Sequence, residues 1–196
     1  WKGSVTSFLR SIFETAKLNV HTYTSPHLVK FNERIRLNSK IITNSLLSSL
    51  LEECEDFNNG EEITFFEITT AAAFLAFNRN KSDLVLIETG LGGRFDATNV
   101  IKDPLCCVFT PISMDHMNFL GTTLHSIANE KLGILKKNSV TIIAKQKSLV
   151  KKLIRKEALK KSNLIYEEGK DWKINNLKKN SFIFEFDNKK YEFSKP

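Results

Sequence analysis

The sequence predicts an α/β fold, a mostly parallel sheet flanked by helices with a β-hairpin extension towards the end of the chain. Three observations carry that prediction. Apolar runs of strand length at 84–87, 105–110 and 141–144 each empty into glycine or polar residues, the pattern of buried parallel strands. Segments with apolar residues at helical spacing lie before, between and after them. From Trp172 onward the period becomes two, with Phe182, Phe184 and Phe186 alternating with Ile183 and Glu185, then Asp187-Asn188 as a turn and Tyr191 and Phe193 continuing.

In chain order, Lys2-Gly3-Ser4 leads into Val5, Phe8, Leu9, Ile12, Phe13 and Ala16, a helix whose first residues cap it. A short strand follows at 19–22, and Thr24-Ser25-Pro26-His27-Leu28 must be extended and turning, because proline fixes its own φ and restrains its neighbour. Leu46, Leu47, Leu50 and Leu51 mark a second helix that stops near Asn58-Asn59-Gly60. Thr64-Phe65-Phe66-Glu67 starts a third, whose small-residue face (Ala71, Ala72, Ala76) suits close approach to a sheet. Leu124 to Leu135 and Leu149 to Ala158 give two more helices, and 164–166 a short edge strand.

The 196 residues, 41% hydrophobic and 26% charged, suit one well-buried domain. No apolar run approaches bilayer length and the chain shows no signal peptide, so a cytoplasmic location without membrane contact is expected. Cys54, Cys106 and Cys107 have neither disulfide nor metal spacing and read as core packing. The net charge of +7 is concentrated from Lys145 onward, with 15 Lys or Arg against 7 Asp or Glu. No aromatic stacking platform or binding-fold signature accompanies it, so it reads as a solvated face and no nucleic-acid partner is expected.

Chemistry concentrates at the carboxyl ends of the predicted strands. The run 84–87 ends at Glu88, and Gly90, Gly92 and Gly93 then let the backbone turn and approach a ligand, with Arg94 and Asp96 beside it. The run 105–110 ends in Pro111-Ile112-Ser113-Met114-Asp115-His116. Lys2-Gly3-Ser4 matches the tail of a phosphate-binding loop, in which N–H groups at a helix start cradle phosphates. Trp1 stands where the preceding glycine would be, which leaves a non-catalytic nucleotide-binding module as the alternative to an enzyme.

Several blocks in fixed order resemble the folylpolyglutamate synthase and dihydrofolate synthase branch of the Mur ligase superfamily. They are Lys2-Gly3-Ser4, Tyr23-Thr24-Ser25-Pro26-His27-Leu28 with Phe31-Asn32-Glu33-Arg34-Ile35, Thr64-Phe65-Phe66-Glu67, Glu88 through Asn99, and Asp115-His116 running on to Ile127-Ala128-Asn129-Glu130-Lys131-Leu132-Gly133-Ile134. The resemblance implies a Mur-ligase-type central ATPase domain, incomplete over residues 1–196, with the start of the phosphate loop and a C-terminal domain lying outside it. It implies a ligase that uses ATP and Mg²⁺ to join L-glutamate to a folate or dihydropteroate carboxylate through an acyl phosphate, acting as a monomer, with this stretch inactive alone. By the same resemblance Lys2, Gly3 and Ser4 bind the ATP phosphates. Ser25, Glu88, His116, Lys131 and Ser4 are implied metal ligands, Lys131 as a carbamylated lysine that shares the catalytic work with Lys2. Thr64, Phe65, Phe66, Glu67, Phe95, Asp96 and Ala97 are implied to bind the pterin end of the substrate, with Arg94 supporting their loop. Met117 departs from the threonine common at its position.

Overall fold

The computed structural model describes residues 2–175, 178 and 180–194; Trp1, singled out above, lies outside them. The chain divides into two compact units, Trp1–Val100 and Ile101–Pro196.

The first unit runs α1 (Lys2–Thr15), β1 (Val20–Tyr23), a 3₁₀ turn (Phe31–Arg34), β2 (Ile35–Leu37), β3 (Lys40–Ile41), α2 (Asn44–Asn58), α3 (Phe65–Arg79) and β4 (Leu84–Ile87). Its sheet has the order β3-β2-β1-β4. β1 and β4 are parallel, Val20 opposite Leu84 through Tyr23 opposite Ile87. The sequence pattern gives no sign of β2 and β3, which extend the sheet in antiparallel sense and are only three and two residues long. Both are too short to establish a period. The expected small-residue face of α3 is present in part: Ala72 and Ala76 are buried, but Ala71 is exposed, and Thr69, Thr70 and Ala73 complete the buried face; Ala72, Ala73 and Ala76 share a core with Tyr23, Ile35 and Leu50. Short side chains let helix and sheet backbones approach closely, and the Tyr23 hydroxyl is satisfied by Thr70 Oγ1 at 3.0 Å.

The second unit runs β5 (Cys106–Phe109), α4 (Met117–Leu120), α5 (Leu124–Leu132), β6 (Val140–Ile143), α6 (Ser148–Lys160), β7 (Leu164–Glu167), β8 (Trp172–Asn175), β9 (Ser181–Phe186) and β10 (Lys189–Ser194). β5, β6 and β7 form a wholly parallel sheet with β7 at its edge. Its core combines Phe109 and Ile143 from the strands with Ile127, Ala128 and Leu132 of α5 and Val150, Ile154 and Ala158 of α6. Leu135, expected on the α5 helix, lies beyond its end, because the helix stops at Gly133. The predicted hairpin is β9–β10, with its turn at Asp187 and Asn188, both at positive φ. β8 pairs with β9 and makes it a three-stranded antiparallel ribbon.

The two-residue period of β5 corrects the cysteine expectation. Cys107 points inward and donates to the Ile134 carbonyl at 3.3 Å, while Cys106 faces outward and is exposed. Burial pushes the Cys107 thiol up to about 11, which keeps it protonated and inert. No helix of the described residues is long and apolar enough to cross a membrane.

Candidate functional site

In the first unit, the site is assembled where β1 and β4 end side by side. Glu88 directly follows β4, and its N–H still donates to the Tyr23 carbonyl at 2.8 Å, so the sheet ladder fixes where its side chain starts. The carboxylate is buried, with 6% of the residue exposed, and Oε2 accepts the Ser25 N–H at 3.3 Å. Burial raises the Glu88 carboxyl above the ordinary carboxylate range, an effect countered in part by the Ser25 N–H and by the charge of Lys2. The Ser25–Pro26 peptide bond is cis.

Lys2, Gly3 and Ser4 form the first turn of α1. Gly3 lies against Glu88, since a Cβ there would sit 3.4 Å from Oε2. The Lys2 ammonium donates to the Thr89 and Gly90 carbonyls at 2.5 and 3.0 Å, which ties the start of α1 to the loop after β4. Four of the sequence-predicted residues (Lys2, Gly3, Ser25 and Glu88) are thus brought together, and Ser4 follows on the same helical turn.

The loop after β4 is built around Asp96. Its Oδ2 accepts the Leu91 N–H at 2.7 Å, and its Oδ1 accepts the Thr98 N–H at 3.1 Å and the Thr98 hydroxyl at 2.5 Å. Gly90 passes so close to α3 that a Cβ would meet the Phe66 ring at 2.6 Å and Asp96 Oδ2 at 2.9 Å, and Gly92 adopts φ +65°. The loop therefore presents Phe95, 88% exposed, while Asp96 is buried and Ala97 half-buried. Thr64 and Glu67 cap α3 reciprocally: the Thr64 N–H donates to Glu67 Oε2 at 2.8 Å, and the Glu67 N–H donates to Thr64 Oγ1 at 3.2 Å. Phe65 is exposed, whereas Phe66 is half-buried and stacked near Tyr23. Arg94 supports the loop through its backbone, its carbonyl accepting Asn99 Nδ2 at 3.0 Å.

In the second unit, His116 follows the end of β5 and caps α4 with left-handed backbone angles, φ 49° and ψ 41°. A non-glycine residue held there is uncommon and marks a constrained position. Its ring is half-exposed, with Nε2 3.5 Å from Asp115 Oδ2. Lys131 lies half-buried in the last turn of α5 and is engaged with surrounding groups. Gln146, which no motif singled out, holds the exit of β5: its Oε1 accepts the Ile112 N–H at 2.9 Å and its Nε2 donates to the Thr110 carbonyl at 2.9 Å.

Among the described residues no three His, Cys, Asp or Glu side chains gather as a metal-binding group. A cation at Glu88 would instead draw on serine hydroxyls and ligand oxygens. That all-oxygen donor set suits a hard divalent ion.

Residues 2–196 match the Mur ligase middle domain family. The chain is 43% identical over 164 residues to a Bacillus subtilis protein named dihydrofolate synthase/folylpolyglutamate synthase, an alignment covering 80% of this chain and 38% of that protein. Among solved structures it is similar to Escherichia coli FolC in complex with DHPP and ADP, with a TM-score of 0.89 and 31% identity over 97% of this chain and 45% of the other. It is also similar to a bifunctional folylpolyglutamate synthase/dihydrofolate synthase with Mn, AMPPNP and L-glutamate bound, with a TM-score of 0.86 and 28% identity over 97% of this chain and 45% of the other. The chain spans less than half the length of these relatives.

Proposed function

The chain belongs to the Mur ligase middle domain family, and from that premise we propose that it is most of the ATP-binding domain of a ligase. The ligase joins L-glutamate to the carboxylate of a folate or dihydropteroate. The observation that carries this reading is the gathering around Glu88 at the ends of two parallel strands: the Ser25 N–H and Gly3 lie against its buried carboxylate, and Lys2 ties the start of α1 to the carbonyls of the two residues that follow Glu88. Relatives complexed with ADP, AMPPNP and L-glutamate support it.

The reaction brings anions together, so its site must supply positive charge and fixed positions rather than a nucleophile of its own. A carboxylate oxygen of the acceptor attacks the γ-phosphorus of ATP, and ADP leaves. The glutamate amine then attacks the acyl carbon, expels phosphate and gives up a proton as the amide forms. The N–H groups of the first turn of α1 and the Lys2 ammonium bind phosphate oxygens, the ammonium exchanging its carbonyl partners for them. Glu88, Ser25 and Ser4 would hold Mg²⁺, which when bound neutralises phosphate charge that would otherwise repel the acceptor. His116 and Lys131, the latter as a carbamate, are the metal ligands proposed from the second unit. Phe65, Phe66, Phe95 and Ala97 offer apolar surface to the flat pterin. The Asp96 carboxylate shapes that surface, and Thr64 and Glu67 position the start of α3 beneath it.

Hydroxylamine trapping tests the acyl phosphate in the complete gene product. With ATP, Mg²⁺ and acceptor but no glutamate, the expected product is one hydroxamate per ADP. ADP release without hydroxamate would overturn the proposed intermediate.

A further inference from the structure

Between Ser25 and the 3₁₀ turn the chain exposes two adjacent large apolar side chains, Leu28 at 93% and Val29 at 81%. Left to themselves, such residues would fold back onto apolar surface. Glu33 prevents this. Its carboxylate accepts three consecutive backbone N–H groups: Leu28 to Oε2 at 2.9 Å, Val29 to Oε1 at 3.2 Å and Lys30 to Oε1 at 2.8 Å. The Glu33 N–H in turn donates to the Lys30 carbonyl at 3.0 Å, closing the turn from both sides. These contacts hold the Glu33 carboxyl below the ordinary carboxylate range, so it stays charged at neutral pH.

The flanks of this tip are equally fixed. Arg34 Nε donates to His27 Nδ1 at 3.1 Å, and its guanidinium lies 5.0 Å over the Phe31 ring. His27 meets Phe31 edge-on with centroids 5.7 Å apart, and Phe31 meets Phe65 edge-on at 5.3 Å. A continuous aromatic row therefore runs from the base of the tip to Phe65, the exposed ring that opens α3. On the proposed ligase reading, Phe65 faces the acceptor. We infer that Glu33 is a positioning residue that holds Leu28 and Val29 as a further wall of the acceptor site, against the flat heteroaromatic end of a pterin acceptor. The tip follows Ser25 directly, so one short segment carries both a proposed metal ligand and this wall.

The inference rests on the ligase reading, and one set of kinetics separates the two. In the complete gene product, the double variant Leu28→Ser/Val29→Ser is expected to raise the KM for the pterin acceptor about fivefold or more, with kcat and the KM for ATP within about twofold. Glu33→Gln, which cannot accept three N–H groups in the same way, is expected to show the same split together with faster amide exchange at residues 28–30. Glu33→Asp should recover part of the loss. An unchanged acceptor KM in the double variant, with the wild type turning over, overturns the inference alone. Wild type that makes no ADP in response to any pterin acceptor overturns the ligase reading beneath it. Loss of self-association in the double variant without a change in acceptor KM assigns the tip to contact between chains and also overturns the inference.

Discussion

Glu88 and His116 both follow a parallel strand, yet the protein treats them differently. Glu88 is buried, anchored through its backbone to β1, and approached by Ser25, Gly3 and Lys2. His116 is half-exposed, with its constraint in a left-handed backbone rather than in packing around the ring. The first position is organised around a charge that burial disfavours and that a cation would satisfy. The second holds a side chain in the open by fixing its main chain. A parallel strand end thus fixes where a functional group begins, and the local surroundings decide whether folding or ligand binding satisfies it.

That contrast predicts different effects of substitution. In the complete gene product, Glu88→Gln is expected to lower kcat/KM by about 10³-fold, because it removes a charge proposed to hold the metal in a preorganised site. The variant should keep its fold, since burial already disfavours the charged form; a collapsed melting transition would show that the carboxylate is structural instead. His116→Asn is expected to cost about 10²-fold in kcat. It should change stability by less than about 0.5 kcal/mol, because asparagine accepts the left-handed conformation and the ring is half-exposed. Asp96→Ala should destabilise the first unit by about 2 kcal/mol, read by denaturant titration, because three loop hydrogen bonds lose their acceptor.

The smallest effect lies in the second unit, where buried Glu167 receives Lys151 Nζ at 2.9 Å and Arg155 Nη1 at 2.6 Å. Burial pulls this carboxyl upward, but the hydrogen bonds from the two cations outweigh it and leave the group below its ordinary value. A lowered carboxylate adds stability above the ordinary range and loses it as pH falls through the lowered value. Glu167→Gln should therefore melt earlier than wild type at pH 7, with the gap closing on acidification.

The parts of this architecture written in local pattern were legible from sequence. The parallel strands announced themselves by apolar runs ending in polar residues, α3 by Thr64 and Glu67, and the last hairpin by its two-residue period. β2, β3 and α4 were not legible, because strands of three and two residues form no apolar run and a single turn of helix shows no helical repeat. Glu33 and Gln146 were missed as holding groups for a different reason. Each acts on backbone brought near by folding or by a turn, and a lone acid or amide in sequence does not reveal which N–H groups it will meet. Asp96 was legible as part of a motif, but its full engagement with Leu91 and Thr98 emerges only in three dimensions.

The most direct test of the ligase reading is ADP production by the complete gene product with Mg²⁺, ATP and L-glutamate, comparing dihydropteroate, tetrahydrofolate and no acceptor. ADP is expected only when a pterin acceptor is present, with negligible release from the 196-residue chain alone. Nucleotide binding without turnover on any acceptor would contradict it and leave a nucleotide-binding module in which Glu88 and His116 have no catalytic part.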